Sequence, residues 1–151
     1  MKVLVPIDGS KYTEMCLKVA SFICKPYDAE IYVMTVIPHL SDIDLELSPS
    51  DREVVRESFA GRGEKLLEKS KRELESYGTH KITTVLLKGT SPAREIVDFA
   101  EKEKMNLIVM GARGLNEEAR FLLGAETPKV VKYSPCCVFV VKESCVEYCT
   151  P

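Results

Sequence analysis

Asp8 closes a short apolar run, KVLVPI, and is followed at once by Gly9 and Ser10. Much later a second apolar run, MNLIVM, ends in Gly111-Ala112-Arg113-Gly114, with another glycine at 124. A carboxylate at the end of a buried strand can accept hydrogen bonds from ribose. Glycine has no Cβ, so a glycine loop lets the backbone approach phosphate closely. A helix starting after Gly124 would turn its free N–H groups toward the same anion. The spacing is neither G-x-G-x-x-G nor G-x-x-x-x-G-K-[ST]. The plainer alternative is that Gly111 and Gly114 only turn the chain after a strand, and spacing alone does not separate the two. Glu126 sharpens the question, because it brings a carboxylate to the place a phosphate would take.

Other chemistry finds less support. His39 lies in the acidic stretch PHLSDIDLELSPS and His80 just before a strand, so no Ser/His/Asp set can be assembled. An enzyme is not expected, although slow ATP hydrolysis is not excluded. The six cysteines (16, 24, 136, 137, 145, 149) form no paired C-x-x-C motifs and stand far from both histidines, which argues against zinc. Cys16 and Cys24 fall in a helical pattern and read as small core hydrophobes. Cys136 and Cys137 are adjacent on a strand, so at most one faces the core. Cys145 and Cys149 are expected as plain thiols, with a bridge within or between chains as the other reading.

The elements that must position Asp8 and the glycines follow from the pattern. Apolar strands are expected at 2–7, 30–37, 81–87, 105–110 and 137–141, and helices between them. The first helix is capped by Ser10, with Met15, Val19, Ala20, Phe22 and Ile23 as its apolar stripe. The second starts from a capping box, Ser50-Asp51-Arg52-Glu53, and runs to about Tyr77, with a kink at Gly61 and Gly63. The third has Ser91 as cap and Pro92 at its first position. The last has Thr127 as cap and Pro128 first. Strands without polar alternation, separated by helices, indicate a doubly wound five-stranded parallel sheet with helices on both faces. In such a sheet ligands bind beyond the strand ends where the order reverses. A single domain over 1–151 is expected, with a core of about 2–142 and a short tail, 143–151.

Composition narrows the class. Hydrophobic residues make up 45% and charged residues 29%, with 21 basic against 23 acidic side chains. There is no basic excess for nucleic acid and no run long enough for a membrane span. The N-terminus reads directly as a strand and lacks the features of a signal peptide, so a cytoplasmic location is the default.

The chain resembles the universal stress protein family over about residues 2–142. KVLVPIDGS looks like that family's first strand and aspartate. GTSPAREIVDFAEKEKMNLIVMGARG looks like its third helix, fourth strand and loop, and LLGAETPKVVKYSPCCVFVVK like its last helix and strand. The resemblance implies an adenine nucleotide alpha hydrolase-like (Rossmann-like) sheet of order 3-2-1-4-5, and a homodimer, often joined through the last strand. The family divides into members that bind ATP and members that do not; for a binder the resemblance implies ATP or AMP as ligand, with Mg2+ if ATP. Asp8 would meet the ribose and the Val36 backbone the adenine. Gly111, Gly114, Gly124 and Thr127 would surround the phosphates. Arg113 either turns inward to offset acidic charge or remains a solvated loop residue.

Two positions depart from the nucleotide-binding pattern. Ala125 stands where a hydroxyl is expected, and Glu126 where an apolar residue is usual; both should weaken binding. Pro128 adds a smaller departure, since it offers no N–H. Two accounts remain. Glu126 points outward or meets a phosphate-bound magnesium, and nucleotide binds. Otherwise Glu126 occupies the phosphate site, and the protein is a stress-protein dimer working through protein–protein contacts. A redox-sensitive dimer through the tail cysteines is a third reading.

Overall fold

A computed structural model describes residues 1–39, 47–114 and 123–143. Five strands form one sheet: β1 (Lys2–Pro6), β2 (Glu30–Ile37), β3 (Ile82–Lys88), β4 (Leu107–Gly111) and β5 (Cys137–Val141). Their order is β3-β2-β1-β4-β5, every pairing parallel. Four α-helices connect them: α1 (Lys11–Cys24), α2 (Pro49–Ser76), α3 (Pro92–Lys102) and α4 (Thr127–Tyr133). The predicted sheet order therefore holds, and β1 lies beside β4, with Val3 opposite Leu107 and Leu4 opposite Ile108.

Alternation along the strands divides the core into two layers. Val3 and Val5 of β1, Ile31 and Val33 of β2, and Val109 of β4 pack with α1 and α2. Leu4, Met34, Ile108 and Met110 point the other way, into α3 and α4. Both faces are thus buried, which is why the strands read as continuous apolar runs. Cys16 and Cys24 are buried as expected, and burial pushes the Cys24 thiol up to about 11. Cys136 is half-buried against the α3–α4 layer, whereas Cys137 is exposed. Cys145 and Cys149 lie outside the described residues. Phe22, expected in the α1 stripe, is 48% exposed instead, on the outer side of that helix. Among the described residues no helix is long and apolar enough to cross a membrane.

The second helix differs from expectation at its start and in its middle. Its cap is Ser48, not Ser50: the Ser48 hydroxyl accepts the Asp51 N–H at 3.2 Å. Pro49 then takes the first helical position, where its missing N–H costs nothing. No break occurs at Gly61 or Gly63. Gly63 is buried, and a Cβ there would lie 2.6 Å from Leu86 Cδ1 and 3.1 Å from Ile37 Cγ2. This glycine lets the helix lie close on β2 and β3. At Gly61 a Cβ would meet nothing within 4 Å.

The pair makes a clean test. Gly61→Ala should stabilise the fold by about 1 kcal/mol, from helix propensity alone. Gly63→Ala should instead destabilise it by about 1–3 kcal/mol, because overpacking outweighs propensity. Urea denaturation of both variants measures the difference.

Candidate functional site

A crevice of about 380 Å³ opens where β1 and β4 end, within the roughly 300–1,000 Å³ usual for small-ligand clefts. All the residues singled out from sequence line it: Asp8, Val36, Gly111, Arg113, Gly114, Gly124, Ala125 and Thr127. Its apolar wall is Met34, Val36, Pro92, Ile96 and Met110. This is the point where strand order reverses, and where connections must leave the sheet in opposite directions.

Val36 owes its role to a length mismatch. β1 pairs with β2 only as far as Pro6 opposite Met34, and the Ile7 N–H then reaches the Met34 carbonyl at 2.8 Å. Beyond that, β2 continues with β3 alone: Val36 stands opposite Leu87 and Ile37 opposite Lys88. Backbone groups alternate in direction along a strand, so Val36 N–H and C=O point as those of Met34 do, toward β1. There the chain has already turned away through Asp8. The crevice floor therefore presents one backbone donor and one acceptor side by side.

Asp8 occupies the turn that leaves β1. One carboxylate oxygen accepts the Ser10 N–H at 2.9 Å, and Gly9 adopts φ +80. Ser10 caps α1 through Tyr12 N–H, as expected. The other Asp8 oxygen faces Gly114, where a Cβ would approach within 2.7 Å. Gly111 is required for a different reason. Its Cβ would lie 2.6 Å from the Tyr12 Cβ, so it is the close contact of β4 with α1 that excludes a side chain. Neither Gly111 nor Gly114 has the left-handed φ that favours glycine. Gly124 closes the loop by donating its N–H to the Ala112 carbonyl at 2.7 Å.

The start of α4 corrects the expected cap. Thr127 is its first residue and Glu126 its cap. The Thr127 hydroxyl is buried and donates to the Gly111 carbonyl at 2.9 Å. Glu126 lines the crevice while its carboxylate turns to α3 and to Lys129. One oxygen accepts the Ala93 N–H at 2.7 Å, and the other receives Lys129 Nζ at 3.1 Å. Ala93 is in the first turn of α3, whose own cap residue, Ser91, makes no side-chain capping bond. The carboxylate of one helix cap thus serves the N-terminus of the neighbouring helix, where negative charge is favoured.

The rim is charged. Lys11, first residue of α1, pairs with Glu143, which follows β5. The hydrogen bond raises the Lys11 ammonium above its ordinary value and lowers the Glu143 carboxyl. Arg113 is half-buried and lines the crevice. Among the described residues no group of three His, Cys, Asp or Glu could hold a metal.

A profile described as the universal stress protein family matches residues 1–142. The chain belongs to that family. It is 39% identical over 142 residues to universal stress protein MJ0531 of Methanocaldococcus jannaschii, covering 94% of this chain and 82% of the relative. Its fold matches the structure of hypothetical protein MJ0577 with a TM-score of 0.80 at 29% identity, covering 94% and 95% of the two chains. Two further neighbours have ligands in their structures. One is a universal stress protein in complex with cAMP (TM-score 0.71, 23% identity, 94% and 97% covered). The other is the Archaeoglobus fulgidus protein in complex with dAMP (0.66, 22%, 94% and 98%).

Within this universal stress protein, sequence reasoning missed the apolar wall. Met34 and Met110 read only as core, and Pro92 only as a helix start. Part of the signal was available: Met110 lies at the carboxyl end of β4 and Pro92 at the start of α3, and these meet at the reversal point. The Glu126 bond yields a prediction. Glu126→Ala removes the substitute cap of α3 and should cost about 1 kcal/mol, the usual worth of an N-cap. Ser91→Ala should cost much less, because its hydroxyl does not cap; thermal unfolding of both variants checks this.

Proposed function

We propose that this universal stress protein is an adenine-nucleotide-binding regulatory module, taking ATP or AMP in the crevice and acting as a homodimer. The observation that carries the reading is the Val36 backbone pair on the crevice floor, with the Asp8 carboxylate at the opposite side of the turn. Adenine offers an N6 donor beside an N1 acceptor, the complement of a C=O beside an N–H. Asp8 then accepts from the ribose hydroxyls, and the loop of Gly111, Gly114, Gly124 and Ala125 surrounds the phosphates. The cAMP and dAMP complexes of proteins sharing this fold agree with that direction. The bond from the Ala93 N–H to Glu126 supports this reading over the nucleotide-free alternative. Ala125 still lacks a hydroxyl donor, which weakens phosphate binding without abolishing it. Magnesium, where ATP is the ligand, would arrive bound to the nucleotide.

Binding and not catalysis is the role supported by these groups. Among the described residues, the exposed His39 and His80 are not among those that line the crevice. The dimer reading rests on β5. It is an edge strand of uncharged residues, CVFVV, with Phe139 38% exposed, and beside it Val131 and Tyr133 of α4 are 49% and 62% exposed. An apolar edge of this kind is suited to pair with a second copy.

Calorimetric titration should give micromolar or tighter binding of ATP or AMP. Asp8→Ala should weaken it by roughly 10- to 100-fold, the loss of a hydrogen bond to a charged group. Gly114→Ala should weaken it too, by displacing the Asp8 carboxylate. A protein that ignores both nucleotides would sink the reading. Sedimentation should show a dimer, and Phe139→Lys should leave a folded monomer; a dimer unchanged by that substitution would place the interface elsewhere.

A further inference from the structure

The rim of the crevice holds a charge arrangement that the reading above leaves unused. Lys11 directly follows the Asp8–Ser10 turn and is ion-paired with Glu143. Glu143 stands just beyond Val141, whose carbonyl accepts the Ala112 N–H at 2.9 Å. That bond fixes the exit of β5 beside the loop carrying Arg113, which lines the crevice. The Lys11–Glu143 pair therefore stands next to residues that line the crevice, Ser10 on one side and the loop carrying Arg113 on the other. Lys11 and Glu143 side chains are 64% and 57% exposed, so water screens their pairing and another anion can exchange into it.

We infer that Lys11 and Arg113 form a rim for the outer phosphates of a nucleoside polyphosphate, and that Glu143 is the internal anion this ligand displaces. The inference rests on the nucleotide reading and narrows its ligand class. A monophosphate ends at the glycine turn, whereas each further phosphate extends toward the mouth. A terminal phosphate carries about −1.5 to −2 charge, more than the carboxylate it replaces, and has three acceptor oxygens. Exchange therefore favours the polyphosphate. It also couples ligand identity to Glu143, just beyond β5: ATP releases Glu143, and AMP leaves it paired. The crevice would then distinguish the two nucleotides by a change in its own ion pairing.

The test is calorimetric titration of adenosine, AMP and ATP into the full chain and into Lys11→Gln and Glu143→Gln. The quantity read is the ratio of ATP to AMP affinity. Lys11→Gln should lower that ratio by roughly two- to fivefold, in the range an exposed charge pair supplies. Glu143→Gln should raise it by a similar factor, and salt well above physiological strength should erase both shifts. A ratio unmoved in both variants, with adenosine still bound, overturns the rim while leaving the nucleotide site intact. Failure of all three ligands to bind any of the proteins overturns the nucleotide reading itself, and the rim with it.

Discussion

The rest of the site depends on β1 leaving the sheet before β2 does. A parallel strand satisfies its backbone through both neighbours, and a neighbour that ends early leaves groups without a ladder. Here β1 stops pairing at Met34, and β2 continues with β3 through Ile37. The Val36 groups are thereby turned toward open space that an apolar wall surrounds. Had β1 continued, Asp8 would have been a ladder residue and the crevice would not exist. The turn at Asp8-Gly9-Ser10 ends the strand, starts α1 and delivers a carboxylate to the gap in one step. Gly9, at φ +80, makes that change of direction without a side-chain penalty.

Sheet order was legible because burial on both faces leaves continuous apolar runs, and because right-handed crossovers restrict how they can be joined. Asp8 and the glycine loop were legible through their place at strand ends. What was not legible is which partner each polar group chooses. Ser50 satisfies the local capping pattern, yet Ser48 forms the cap, because Pro49 fits the first helical position. Gly61 and Gly63 look alike in sequence, yet only Gly63 touches the sheet. Thr127 has the hydroxyl expected near phosphate, but the Gly111 carbonyl lies closer to its fold-imposed position.

Glu126 shows the same limit most clearly. Sequence places it at the start of α4 and therefore near any phosphate bound there. The electrostatic argument, a carboxylate at a helix N-terminus, was sound, but two helices begin side by side at this edge. α3 lacks a capping bond from Ser91, so its Ala93 N–H is the stronger claim on the acid. α4 is short and has Pro128 in its first turn, so it offers fewer donors. The acid that sequence sets against an anion is thus bonded in three dimensions to a neighbouring helix. It also ties the phosphate turn to the helix that lines the apolar wall.

This tie changes how the departures from the family pattern weigh against each other. Ala125 removes a hydroxyl donor. Glu126 adds a charge, but Lys129 and the α3 terminus together offset it. Farther out, Lys11 pairs with Glu143 beside the loop that carries Arg113. In the proposed reading, backbone groups meet the base, a single carboxylate meets the ribose, and charged side chains are kept for the mouth. Such a division is what a shallow crevice requires. Deeply buried charges would need permanent partners, whereas exposed ones can exchange a protein anion for a ligand anion without leaving water.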